Sequence, residues 1–474
     1  MIKFGTDGWR AVVGEDFTEE NVGKVIQAFC DLYPSLPNTG KQVVIGYDRR
    51  NQSPESAELC ARILIANNIP VLYASTFCPT PGVSWYTNHK KCTAGIMITA
   101  SHNPPKWNGI KFKEHTGGAA SGEFVTPVEH QIQKNDAASK KAKCISKEDF
   151  KTHLEEQKLV TVFDPQEEYL SSMKTLVDIE KIKQQKYKVL VEPMYGAGIG
   201  FFSSLLGNAV TELHSERDLT FGGINPEPIP PHVNEAIETM KKGGYDYCAI
   251  LDGDADRAGA VDEHGSFITT HEIYSLLFLH AVKNKKWPGQ KVIKSISTTQ
   301  MVDTIGKHFG IEVETVAVGF KHISPAMTQA GVLMGGEESG GFGFPQHIPE
   351  RDGILSNLLL LEMMAVEQKS ISQLVADLQA EFGPTKYRRI DYSLSKEQIA
   401  DARKKFDGLN IQNCAGKKLK KHTTIDGHHF LFEDNSWLLF RASGTEPLIR
   451  TYAEAATEEQ VETMLAYAKE ALGL

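Results

Sequence analysis

Residues 95–112 read GIMITASHNPPKWNGIKF, and the fold class is decided here. Gly95-Ile96-Met97-Ile98 is an unbroken apolar run that turns polar at Thr99. A short apolar run bounded by turn signals predicts a buried strand of a parallel sheet. Open α/β sheets bind ligands just beyond the carboxyl ends of their strands, so Ser101, His102 and Asn103 fall where chemistry is expected. Pro104 and Pro105 exclude an immediate helix and stiffen the loop. Asn108-Gly109 predicts a second turn, with Lys111 on the short apolar segment that follows. One rigid loop thereby collects a hydroxyl, an imidazole, an amide and an amine.

Upstream, Thr18 caps a predicted helix with Glu19 and Glu20 in its first turn, and Val22, Val25, Ile26, Phe29 and Tyr33 share one face. A strand at 43–48, a helix from Ser53-Pro54 to about Asn67 and a strand at 70–74 form a βαβ passage. Thr80-Pro81-Gly82 reads as the turn toward 95–112. The same passage recurs at 188–214 and 291–318, which predicts three related α/β units. Residues 113–145, rich in Gly, Ser, Ala and Lys, read as surface loop, and GGINPEPIPP (222–231) as a connector. From about 382 a strand, a helix, a hairpin turning at Asp434-Asn435-Ser436 and a final helix capped by Thr457 predict a smaller α+β domain. The expected architecture is three similar α/β mixed-sheet domains plus a smaller C-terminal α+β domain, divided as 1–152, 153–260, 261–380 and 381–474.

A net charge of −9 argues against a general nucleic-acid binder, and an anionic substrate would need local Arg and Lys. The seven cysteines are scattered and never spaced CxxC, so they read as reduced, mostly buried thiols. The N-terminus lacks a signal-peptide run, and Leu358–Leu361 is too short to span a bilayer. The expectation is a cytoplasmic protein with no membrane or nucleic-acid partner, acting as a monomer or homodimer.

Three further constellations carry chemistry. Asp252-Gly253-Asp254-Ala255-Asp256-Arg257 follows a predicted buried strand, and carboxylates at alternate positions repel unless a cation compensates them. Oxygen-only ligands suit Mg²⁺ or Ca²⁺ rather than zinc. An EF-hand is rejected: Arg257 stands where its sharp turn requires glycine, and strands rather than helices flank the loop. In Gly335-Gly336-Glu337-Glu338-Ser339-Gly340-Gly341, glycines admit close approach while Glu337 and Ser339 can bond hydroxyls, which suits a sugar. Lys321 offers a cation upstream. Arg441-Ala442-Ser443-Gly444-Thr445-Glu446-Pro447, with Arg450 beyond, reads as a phosphate cradle of arginines, hydroxyls and backbone donors, and it is not a Walker loop.

Four stretches in this order, TASHNP (99–104), DGDADR (252–257), GEESG (336–340) and RASGTEP (441–447), resemble the α-D-phosphohexomutase family, as do GTDGWR (5–10) and NGIK (108–111). The resemblance covers the whole chain and implies four domains around a central cleft. It implies a phosphoserine at Ser101, with Mg²⁺ held by Asp252, Asp254, Asp256 and the serine phosphate. Glu337 and Ser339 would hold sugar hydroxyls. Arg441, Ser443, Gly444 and Thr445 would hold the non-reacting phosphate. Arg10, His102, Lys111 and Arg257 match positions near the phosphoserine, and Lys111 or His102 would carry the proton. The implied reaction interconverts hexose 1- and 6-phosphates, glucose first, through glucose 1,6-bisphosphate, which would also be the activator. Phosphomannomutase and phosphoglucosamine mutase are the alternatives: GEESGG departs from the GEMSGH of enzymes using both glucose and mannose phosphates, with Glu338 for Met and Gly341 for His, which counts against mannose, while the opening GTDG is similar to that of phosphoglucosamine mutase. A non-catalytic sugar-phosphate sensor is disfavoured, since Ser101 and all three aspartates are present. A serine hydrolase would want GxSxG.

Overall fold

The computed structural model describes residues 2–442 and 448–473. Its first sheet has six strands in the spatial order Trp9–Val12, Trp107–Lys113, Ala94–Ile98, Val43–Tyr47, Val71–Ala74 and Val160–Phe163. The last four run parallel, and Trp107–Lys113 turns back antiparallel on Ala94–Ile98. The second sheet repeats this plan. Tyr247–Leu251 lies parallel to Val189–Glu192 and is followed by the antiparallel strand Ala258–Val261. The third repeats it again, with Val332–Gly336 parallel to Lys291–Ser295 and then antiparallel to Phe342–Phe344. In each unit the loop carrying the candidate chemistry joins a buried parallel strand to its antiparallel neighbour. That placement sets 99–106, 252–257 and 337–341 at the carboxyl ends of three equivalent strands. Val160–Phe163 lies beyond residue 152 yet completes the first sheet, and Phe267–Ile268 lies beyond 260 yet completes the second.

The C-terminal unit is a six-stranded antiparallel sheet under the helices Lys396–Asp407 and Glu458–Leu472, with its own core around Phe430, Phe440 and Leu465. Helix Gly353–Glu367 is buried along nearly its whole length, which explains why Leu358–Leu361 is apolar on every face. No helix among the described residues is long and apolar enough to cross a membrane. Six cysteines are buried free thiols and Cys144 is exposed.

Four local expectations are corrected. Asn108-Gly109 makes no turn but lies inside the strand Trp107–Lys113, paired with Ala11 and Arg10. Thr80-Pro81-Gly82 is the first turn of a helix, Thr80–His89, because proline in a first turn sacrifices no helical hydrogen bond. Residues 122–137 form a helix rather than loop. Its Val128 and Ile132 are buried against the 19–32 helix, a four-residue spacing that the small polar residues around it obscured. Ser53 does not cap its helix: the cap position is Gln52, and the Ser53 hydroxyl donates to Asp48 at 2.6 Å.

Candidate active site

Ser101 sits at φ 52°, a left-handed conformation that costs a non-glycine residue about 1 kcal/mol or more and must be held by its surroundings. Two groups hold it. The Thr99 hydroxyl accepts the Ser101 N–H at 2.8 Å and donates to Asp48 at 2.6 Å. Arg50, fully buried, donates to the carbonyls of Ser101 (2.5 Å), Asn103 (2.7 Å), Pro104 (3.1 Å) and Trp107 (3.1 Å). Asp48 pairs with Arg50 at 3.2 Å, and the Phe221 ring lies 5.0 Å from its guanidinium carbon. The loop is therefore wrapped around one buried cation.

The Ser101 hydroxyl donates to Asp252 Oδ2 at 2.9 Å and lies 3.4 Å from His102 Nδ1. The two loops touch at Gly253, where an added Cβ would stand 2.6 Å from the Ser101 carbonyl oxygen. Asp252 Oδ1 accepts the N–H groups of Asp256 (2.9 Å) and Arg257 (3.1 Å), curling the loop so that ligand oxygens of Asp252, Asp254 and Asp256 lie within 4.8 Å of one another. Asp254 Oδ1 and Asp256 Oδ1 are buried without a hydrogen-bond partner. Burial of an unpaired carboxylate oxygen is costly, and three hard oxygens around one point are what a divalent cation satisfies. The residues present fit Mg²⁺.

Cations of the chain surround this point. Lys111, 1% exposed, reaches Asp7 at 2.7 Å and Asp254 and Asp256 at 2.8 Å each. Burial opposes its charge, but these carboxylates prevail and raise its pKa. Burial likewise pushes Asp254 up, and Lys111 overcomes it so that the carboxyl stays ionised. Asp252 is driven well above the usual carboxylate range by burial and by Asp254 and Asp256. Arg10 donates to Asn103 Oδ1 at 2.5 Å, and Arg257 lies 3.9 Å from Asp252. Burial, with Arg257, Arg10, Lys111 and Arg50 behind it, holds His102 neutral. The Ser101 hydroxyl thus faces both carboxylates and a cationic wall, a setting for a transferring phosphate.

Glu337 is buried, and Ser339 donates to it at 2.9 Å. Burial raises the Glu337 carboxyl. Glu338 turns the other way, toward the C-terminal domain, taking the Ser297 hydroxyl at 3.2 Å and pairing with Arg389 at 3.5 Å. The loop is stitched to the aspartate loop by the Ala258 N–H donating to Gly340 O at 2.9 Å. Lys321 opens the helix Phe320–Met327, and the neighbouring His322, lowered chiefly by burial, also feels Lys321, Asp426 and Arg441. Arg441 is anchored through Nε by Asp426 at 2.9 Å, and Asp426 also accepts the Val318 N–H at 3.1 Å, tying the C-terminal domain to the third. Arg450 faces Arg441 across the strand pair and lies 3.4 Å from Asp391. Ser443, Gly444 and Thr445 lie outside the described residues.

Four residues escaped sequence reasoning: Asp7, Arg50, Thr80 and Arg351. Thr80 donates its hydroxyl to Asp254 at 2.5 Å, and Arg351 meets Asp7 and Asp256. The contacts that build the site, Asp7 with Lys111, Arg50 with the 101–107 carbonyls, Thr80 with Asp254 and Arg351 with Asp256, span 51 residues or more, so spacing carries no signal of them.

Family models described as phosphoglucomutase/phosphomannomutase match the chain at residues 1–139 (α/β/α domain I), 167–265 (domain II), 269–382 (domain III) and 394–471 (C-terminal domain). A phosphoglucomutase/phosphomannomutase of Thermococcus kodakarensis is 31% identical over 465 residues, 98% of this chain and 96% of that protein. A phosphoglucosamine/phosphogalactosamine mutase of Sulfurisphaera tokodaii is 29% identical over 467 residues, 96% of this chain and 95% of that one. A crystal structure of a candidate phosphomannomutase from Thermus thermophilus superposes with a TM-score of 0.85 at 30% identity, covering 100% of this chain and 99% of that one.

Proposed function

The chain belongs to the phosphoglucomutase/phosphomannomutase family, and on that premise we propose that it interconverts glucose 1-phosphate and glucose 6-phosphate through a phosphoserine at Ser101. It is an intramolecular phosphotransferase acting on hexose phosphates. The observation that carries the proposal is the Ser101 hydroxyl bonded to Asp252 at the edge of a three-aspartate cluster, two of whose members carry a buried oxygen with no hydrogen-bond partner.

In the proposed cycle the Ser101 phosphate passes to the free hydroxyl of the bound hexose phosphate: a P–O bond to the sugar forms as the one to Ser101 breaks, giving glucose 1,6-bisphosphate. The bisphosphate turns around in the cleft, and its other phosphate returns to Ser101. Asp252, Asp254 and Asp256 would hold Mg²⁺, which supplies charge neutralisation on the transferring group. Arg10, Arg257 and Lys111 add fixed positive charge, while neutral His102 can accept a proton. Glu337, its carboxylate held by Ser339, accepts sugar hydroxyls. Arg441, with Lys321, Ser443, Gly444, Thr445 and Arg450, receives whichever phosphate is not reacting. Added glucose 1,6-bisphosphate would prime a dephosphorylated enzyme. We place this reaction in the cytoplasm.

Side-by-side turnover of glucose, mannose and glucosamine 1-phosphates tests the sugar. The expected result is a kcat/KM for glucose 1-phosphate about tenfold or more above the others, a difference of roughly 1.4 kcal/mol. The relatives named for amino-sugar phosphates make glucosamine the second reading, and equal or better turnover of glucosamine 1-phosphate would replace glucose with it.

A second prediction concerns Arg441. Asp426 holds its Nε, and among the described residues its terminal amines make no hydrogen bond, so they are offered to a phosphate. Lysine keeps the charge but loses the fork, and one charged hydrogen bond is worth about 1.5–3 kcal/mol. Arg441→Lys is therefore expected to raise KM about tenfold or more in both reaction directions, and to make turnover depend on added glucose 1,6-bisphosphate as the intermediate escapes. A KM defect in one direction only would mean that Arg441 does not serve both phosphates.

A further inference from the structure

The side chain that joins the aspartate loop to the glycine loop belongs to neither. Arg351 ends the strand Ile348–Arg351 and is 2% exposed. Its Nη2 lies 2.5 Å from Asp7 and 2.8 Å from Asp256, its Nη1 3.4 Å from Glu337, and its Nε 3.3 Å from Glu350. One guanidinium thus serves four carboxylates, among them a candidate metal ligand and the candidate sugar acceptor. The Phe320 ring covers it at 5.1 Å. Its stem is boxed in too: a Cβ at residue 341 would stand 2.3 Å from Arg351 Cδ and 2.8 Å from Cγ. Gly341, which stands where GEMSGH has histidine, is the residue that leaves room for this arginine.

We propose that Arg351 is a positioning residue coupling the two sites, so that a divalent cation on the aspartate loop tightens hexose phosphate binding through Glu337. The proposal rests on the reading of Glu337 as the acceptor of a sugar hydroxyl. Asp256 Oδ2 is shared between Lys111 and Arg351, while Asp256 Oδ1 has no hydrogen-bond partner. A cation taken up by the aspartates draws the Asp256 charge away from Arg351. The guanidinium then has more of its charge for Asp7, Glu350 and Glu337, in a buried setting where such pairs are strong. Glu337 and Glu350 make the two longest contacts, and Glu350 is already paired with Lys113 at 2.5 Å, so Glu337 has the most to gain. Once fixed, it loses less freedom when a sugar hydroxyl arrives. Linkage is reciprocal, so the sugar must tighten the metal by the same factor.

The test is calorimetric titration with 1,5-anhydroglucitol 6-phosphate, which lacks the reacting C1 hydroxyl, in the absence and presence of Mg²⁺. The ratio of the two dissociation constants is the coupling factor, expected at about fivefold or more in the unmodified protein. Gly341→Ala displaces the arginine stem without removing a charge, and Arg351→Lys keeps the charge without the fork. In both, the coupling factor should fall toward one while the affinity for Mg²⁺ alone stays within about twofold. Coupling unchanged in both variants overturns the proposal. So does a loss of Mg²⁺ affinity as large as the loss of coupling, since Arg351 would then merely support Asp256. Glu337→Gln separates the premise from the proposal: unchanged affinity for the analogue in that variant removes the sugar-site reading itself.

Discussion

Ser101→Ala is expected to cut mutase turnover by about 10⁴-fold or more, because among the described residues no other hydroxyl is hydrogen-bonded to Asp252 to carry the phosphate. The same change should barely disturb the fold. The hydroxyl makes one hydrogen bond to Asp252, worth about 1 kcal/mol. The left-handed backbone at residue 101 is held by Arg50 and Thr99, neither of which contacts the hydroxyl. The melting transition should therefore move by only about 2–4 °C. Mass spectrometry adds an independent reading, since the unmodified protein should carry a fraction heavier by one phosphate and the variant none. Near-normal turnover in Ser101→Ala would end the phosphoserine mechanism, however well the variant folds.

Arg50 shows both what the sequence reveals about this site and where it stops. The loop it supports is legible, because Gly95-Ile96-Met97-Ile98 announces a buried strand and the polar cluster after it falls at a carboxyl end. Arg50 itself is one of two adjacent arginines in YDRRN, identical in type and local context. Only the folded chain shows that Arg49 is half-buried while Arg50 lies fully buried beneath Phe221 with four carbonyls around it. The same division runs through Glu337 and Glu338. As neighbours they look interchangeable, yet one faces Arg351 and the other faces Arg389 of the C-terminal domain. Local pattern places a loop at the end of a strand. Which way each side chain leaves it depends on partners supplied by other domains, and Arg351, ten residues beyond its loop, has no spacing that marks it. The 122–137 helix was hidden for a different reason: it buries only Val128, Ile132 and Asn135, so its apolar stripe is too narrow to stand out against a polar composition.

Removal of divalent metal should separate activity from stability. Without a cation, Asp254 and Asp256 are still answered by Lys111, Asp256 by Arg351, and Asp252 by two backbone N–H groups and the Ser101 hydroxyl. Charge compensation inside the chain is therefore sufficient to keep the loop folded. What it leaves open is the pair of orphaned oxygens, Asp254 Oδ1 and Asp256 Oδ1. Transfer of a phosphate toward Asp252 without a further cation would bring like charges together in a buried site, where repulsion is large. Excess EDTA is accordingly expected to lower turnover by about 10³-fold or more, with Mg²⁺ restoring it. Saturating Mg²⁺ should raise stability only by its binding free energy, about 2.7 kcal/mol at a hundred times the dissociation constant. Asp254→Asn gives the matching variant. The asparagine can still accept from the Thr80 hydroxyl, and Lys111 keeps Asp7 and Asp256, so the fold should persist. A neutral amide oxygen lacks the carboxylate charge by which protein sites usually hold Mg²⁺, so millimolar Mg²⁺ should not rescue its turnover. Zn²⁺ should bind the unmodified loop yet support little turnover, because its tetrahedral preference differs from the octahedral geometry of Mg²⁺. Undiminished activity in excess chelator, or an Asp254→Asn enzyme that turns over normally, would remove the metal from Asp252, Asp254 and Asp256.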